Sequence, residues 1–166
     1  MSYIPFPIDE ILVGLVELVR ANRTAFSPNV ETADLDEFWG VGKDMSTLPD
    51  VFVIVRPDEG EFAFGGIKVS EDLVKAAVII YSRLDLANSR DGSTLMLRQL
   101  VQVLRSAPGL DSLSALVTND CEIKWVRPVG YAPDNQFSSE NFAGWSVTVE
   151  VGVTCRATKA ALPTYP

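Results

Sequence analysis

The most constraining stretch of the chain is its last long apolar run. Trp145, Val147, Val149, Val151, Val153 and Cys155 occupy every second position, with Ser146, Thr148, Glu150, Gly152, Thr154 and Arg156 between them. An unbroken period of two puts one residue type on each face, the mark of a strand with one buried face. The run covers roughly 34 Å at the usual rise per residue, far longer than an average strand. Such a strand belongs in an antiparallel sheet and needs an apolar layer over its inner face.

Two segments can supply that layer. Ile8, Ile11, Leu12, Leu15, Val16 and Val19 recur at helical spacing. Pro7 suits the first helical position, Asp9 and Glu10 suit the positive end of the helix dipole, and Arg20 suits the other end. Leu97, Leu100, Val101 and Leu104 form a second stripe over 94–106, with Ser93 as its cap and Pro108-Gly109 as its stop. Val51–Val55 reads as a central strand, because both its faces are apolar. Residues 73–84 fit either period, and their β-branched content favours a strand. Glu122–Arg127 reads as another strand ending at Pro128, and residues 110–117 have room for a short helical turn. Residues 27–50 read as loop, pinned by Phe38 and Trp39. Gly65-Gly66 allows a hairpin with Phe62-Ala63-Phe64 and Ile67-Lys68-Val69 as its arms. The elements do not alternate as βαβ units. The expected fold is a single α+β domain over residues 1–166, with a mostly antiparallel sheet, two helices packed on one face, and long loops at 57–70 and 129–144. The expected core is Val53, Val55, Val78, Ile80, Ile123, Trp125, Val147, Val149 and Val151, under Leu12, Leu15, Leu100 and Leu104.

The missing residue types narrow the chemistry. There is no histidine, which removes Ser-His and Cys-His nucleophile pairs and every His-ligated metal site. Cys121 and Cys155 show no metal-binding spacing and read as reduced core thiols. Gly40-Val41-Gly42 lacks the third glycine of a dinucleotide loop, and the stretch from Gly60 to Gly66 lacks a phosphate-loop lysine. The polar turn 85–92 lacks the ligand order of a calcium loop. No apolar run is long enough to span a membrane, and the N-terminus has no basic leader. The chain is therefore expected to be neither an enzyme nor a metal or cofactor protein.

Charge is distributed unevenly. The net charge is −8, which argues against nucleic-acid binding. Residues 1–72 hold 14 acids and 5 bases, a net of −9, whereas the remainder holds 8 acids and 9 bases, a net of +1. The acidic half reads either as a solvated face or as a wall past which a polyanion slides without sticking.

In element order the chain resembles the tail terminator, or tail-completion, proteins of long-tailed bacteriophages. The parts that carry the resemblance are the helix Pro7–Arg20, the strands Val51–Val55 and Val74–Leu84, the helix Ser93–Arg105 and the closing strand from Trp145. The resemblance implies a homo-hexameric ring that caps the tail tube and joins it to the head connector or stopper protein, with DNA passing through its channel without specific binding. It implies a place in the neck of the virion, after synthesis in the host cytoplasm. Another neck protein (a head-tail stopper or adaptor) and a cytoplasmic small-ligand or peptide-binding α+β domain stay open as alternatives. On the assembly reading, Phe62, Phe64, Tyr131, Phe137 and Phe142 are expected to dock against a neighbouring subunit or the tube. Asp34, Asp36, Asp58, Glu59 and Glu61 are expected to face the lumen.

Overall fold

A computed structural model describes residues 3–35, 48–64, 66–83, 90–106, 120–135 and 142–159. The elements run in the order α1 (Ile8–Ala21), β1 (Thr32–Leu35), β2 (Val51–Pro57), β3 (Glu61–Phe64), β4 (Val69–Arg83), α2 (Arg90–Leu104), β5 (Cys121–Asp134) and β6 (Phe142–Arg156). The six strands form one sheet in the order β1-β2-β4-β6-β5, with β3 pairing β4 beyond the end of β2. Among the described residues only the β1–β2 pair is parallel. The fold is thus α+β, as the patterning predicts.

The closing strand sits at the centre of this arrangement. β6 pairs with β4 from Val69↔Arg156 to Arg83↔Phe142, and with β5 on its other side. Its alternation is realised: Val147, Val149, Val151, Val153 and Cys155 face the main core, where α1 and α2 lie. Leu15 and Leu100 are both fully buried there, and each such side chain contributes about 1.5–3 kcal/mol through removal from water. Pro7 stands one position earlier than expected, at the N-cap of α1, where its carbonyl accepts the Ile11 N–H (3.1 Å).

The opposite face of the sheet is apolar at one end. Phe52, Ile54, Ala77, Ile79, Tyr81 and Phe142 form a second buried cluster, joined by Leu48. Tyr81 stacks on Phe52 (5.1 Å, 29°), and Phe142 meets Phe52 edge-on (5.3 Å). Arg83 closes this cluster. Its Nε donates to Asp50 Oδ1 (2.7 Å), a terminal nitrogen donates to the Leu48 carbonyl (2.7 Å), and the guanidinium lies over the Phe142 ring.

Five expectations need correction. Residues 129–144 are not one long loop: β5 continues to Asp134 and β6 begins at Phe142. Pro128, Gly130 and Pro133 read as breakers, yet β5 is an edge strand, where a missing N–H can face away from the ladder. Register shifts at Ile123/Trp125 and Pro128/Gly130 absorb the irregularity. Nor is 57–70 a plain loop. β3 pairs with β4 from Glu61↔Leu73 to Phe64↔Ser70, so Ile67 and Lys68 lie in the turn instead of an arm. Trp125 is not in the core, because the first register shift turns it to the face away from the helices, opposite Gly152. Ser93 lies inside α2, which starts at Arg90. Finally, β1 occupies part of the presumed loop 27–50, held by parallel pairing to β2. The expected turn over 110–117 lies outside the described residues.

Candidate functional site

The two open borders of the sheet carry most of its exposed apolar side chains. At the β3 border, Phe62 is 73% exposed and Ile67 93% exposed. Alternation explains Phe62: β3 is four residues long and pairs only with β4, so no layer covers it. The Phe62 ring meets Phe6 edge-on at 5.1 Å, and Phe6 is itself exposed. At this tip Asp58, Glu59 and Glu61, all exposed, lie next to Phe62 along the chain. The Asp58 carboxylate accepts the Glu59 N–H (2.8 Å), and the Asp58 N–H donates to the Lys75 carbonyl, which fastens the turn to β4.

At the other border, α2 and the outer half of β5 diverge and leave a groove of about 760 Å³. Leu97 and Val101 form its helical wall, and Pro128, Val129 and Tyr131 its strand wall. Tyr131 is 69% exposed and rests its ring near Trp145 (6.0 Å). Arg98 and Arg105 stand on the rim, both exposed. Among the described residues neither guanidinium meets a carboxylate, and no carboxylate lines the groove. An apolar floor with two exposed cations suits a partner that presents an apolar anchor beside negative charge.

The residues singled out from sequence separate accordingly. Phe62 and Tyr131 are exposed, at opposite borders. Phe142 is 3% exposed and packed into the second cluster, so its ring is used within the chain. Phe64 belongs to β3, while Phe137 lies outside the described residues. Asp58, Glu59 and Glu61 share the tip. Asp34 lies on β1 and pairs with Arg20 (2.8 Å), whose Nε also donates to the Ala33 carbonyl (3.0 Å), so this carboxylate clamps β1 to α1. Asp36 lies outside the described residues. Sequence reasoning missed Phe6, Ile67, Arg98 and Arg105. The arginines carried a usable signal: they flank the α2 stripe of Leu97, Leu100, Val101 and Leu104 in a chain otherwise rich in acids.

The buried chemistry is slight. Cys121 and Cys155 face each other across β5 and β6, both buried and neither in a disulfide. Burial, then a hydrogen bond with Cys121, pushes the Cys155 thiol far above its ordinary range, which favours the inert protonated form. Asp72 is buried and accepts the Ser70 hydroxyl. Among the described residues no cluster of acids and cysteines could hold a metal ion, and no helix is long and apolar enough to cross a membrane.

No protein-family model matches the chain, and no curated protein matches it.

Proposed function

We propose that this protein is a structural subunit of a bacteriophage virion, a tail terminator that forms a ring at the head-proximal end of the tail tube and joins it to the head connector. The observation that carries the reading is the exposure of large apolar side chains at both borders of one sheet, Phe62 and Ile67 at one, Val129 and Tyr131 at the other. Apolar groups held out in this way cost solubility unless a neighbour covers them. Two separate sticky borders fit a subunit with a neighbour on each side. The element order on which the resemblance rests adds support, as does the acidic first half, which suits a channel for DNA. Its partners would be further copies of itself, the tube protein and the head-tail connector or stopper.

Deleting the gene from the phage genome that carries it tests the reading. Electron microscopy is expected to show filled heads without tails beside tails of irregular length. Intact virions would refute it. A second reading, a peptide- or small-ligand-binding domain, draws on the groove, whose volume lies in the range of ligand sites. Sedimentation of the purified chain separates the two: ring-sized species support the first, and a monomer at every concentration supports the second.

A further inference from the structure

We infer that the β3 tip of one copy docks into the α2–β5 groove of a second copy, so that subunits join head to tail. The inference rests on the assembly reading and gives its contact. The tip offers Phe62 and Ile67 as anchors. Asp58, Glu59 and Glu61 are exposed and adjoin Phe62 along the chain, with Glu61 and Glu71 on the face of the strand pair opposite its ring, and the bases nearby are Lys68, Lys75 and Arg156. The groove offers an apolar floor, Arg98 and Arg105, and no carboxylate among the described residues. Shape class and sign of charge are complementary in both respects, and charge pairing across an interface sets orientation and excludes wrong partners. The two surfaces lie at opposite borders of the sheet, since β3 sits on the β2 side of β4 and β5 ends the other side. They cannot satisfy each other within one copy. A contact between two different patches is heterologous, and it closes into a ring when the rotation between subunits permits.

Side-chain docking is favoured over extension of the sheet. The unpaired border of β5 carries Pro128 and Pro133, which have no N–H to donate, and register shifts bend it. A border built that way resists pairing with another strand. An aromatic ring seated in a groove needs no free backbone and supplies the dominant share of an interface's energy.

The test places a photo-crosslinker at the tip of the full chain, Phe62→p-benzoylphenylalanine, and maps adducts by mass spectrometry as concentration rises. The expected intermolecular adducts fall on Leu97, Val101, Val129 and Tyr131. Reversing the rim with Arg98→Glu and Arg105→Glu is expected to lower their yield about tenfold or more, since a tenfold change needs only about 1.4 kcal/mol. Mixing that reversed copy with one carrying the probe plus Asp58→Lys, Glu59→Lys and Glu61→Lys is expected to restore the yield. All five substitutions are at exposed positions, and circular dichroism checks the fold. Intermolecular adducts elsewhere on the chain would overturn the tip-to-groove contact and leave self-assembly standing. An absence of intermolecular adducts from a protein that sediments as a monomer at every concentration would overturn both.

Discussion

Two glycines on one face of β6 make a controlled pair for testing how the sheet packs. Gly144 and Gly152 each sit beneath an aromatic ring from a neighbouring strand. A Cβ at Gly144 would lie 2.6 Å from the Tyr81 ring and 3.0 Å from the Asp134 carbonyl oxygen. A Cβ at Gly152 would lie 2.5 Å from the Trp125 ring. The overlaps are nearly equal, so the outcome depends on which ring can move. Tyr81 is 1% exposed, stacked on Phe52, and its hydroxyl donates to the Asp134 carboxylate. It has nowhere to go. Trp125 is half-buried at an irregular place in an edge strand, with Arg127 over its ring (4.3 Å). It can swing outward and lose little beyond that stacking. Overpacking a core costs about 1–3 kcal/mol, while replacing a strand glycine by alanine returns about 0.5–1 kcal/mol. Gly144→Ala is therefore expected to destabilise by about 1–2 kcal/mol, a fall of about 2–8 °C in Tm for a chain of this size. For Gly152→Ala, losing the cation–π contact costs about 0.5–1 kcal/mol, so the net change is close to zero. Urea and thermal melts of both variants read the difference. Tyr81→Leu added to Gly144→Ala should relieve most of the strain, a coupling that a double-mutant cycle measures. Equal losses for the two glycines, or the larger loss at Gly152, would refute the argument that ring mobility decides the cost.

Three further outcomes follow from the fold. Val149 is fully buried opposite Ala76 in β4, so Val149→Asp should cost about 3–5 kcal/mol by burying an unpaired charge; wild-type melting would mean the β6 register is wrong. Cys155 holds its proton in the folded state well above the ordinary thiol range. Below that range both states are protonated and the full contribution is present; above it the unfolded chain binds fewer protons than the folded one, so stability falls as pH rises. Urea melts at pH 8 and pH 10.5 are expected to show a smaller alkaline loss for Cys155→Ala than for the wild type, and parallel losses would count against the burial argument. Arg20 ties β1 to α1 through Asp34 and the Ala33 carbonyl but is about half exposed, so Arg20→Ala should cost about 1 kcal/mol or less; unchanged hydrogen exchange of the β1 amides in that variant would show the clamp is not what holds the strand.

The fold was legible where burial is uniform along an element. β6 could be read position by position because one face meets the helices over its whole length. α1 could be read because Ile11, Leu15, Val16 and Val19 repeat against one core. Legibility failed where a residue's meaning depends on the position of its strand in the sheet. Thr32–Leu35 has no strong strand pattern of its own, and only pairing to the already buried β2 makes it β1. Trp125 illustrates the same limit at the level of one side chain. Counting by twos from Ile123 puts it in the core, and one register shift in an edge strand puts it on the other face.

The candidate site was half legible for a related reason. An aromatic residue beside breakers signals exposure only if no other part of the chain can reach it. Phe62 stays 73% exposed because β3 pairs with β4 alone and the ring it meets, Phe6, is itself exposed. Phe142 does not: β6 carries it under Arg83 and against Phe52, two contacts separated from it by more than fifty residues in sequence. Arg98 and Arg105 went unnoticed for the converse reason. On a helix, arginines beside an apolar stripe ordinarily mark its solvent face. They become the rim of a groove only because β5 diverges from α2 beyond Pro128 and leaves Val129 and Tyr131 uncovered. The second register shift in β5, between Pro128 and Gly130, falls within this wall of the groove. Pro128, one of the residues that hid the strand in the sequence, therefore stands in the wall of the groove, and the same lack of an N–H that made it read as a breaker keeps the outer edge of β5 from pairing regularly with a further strand.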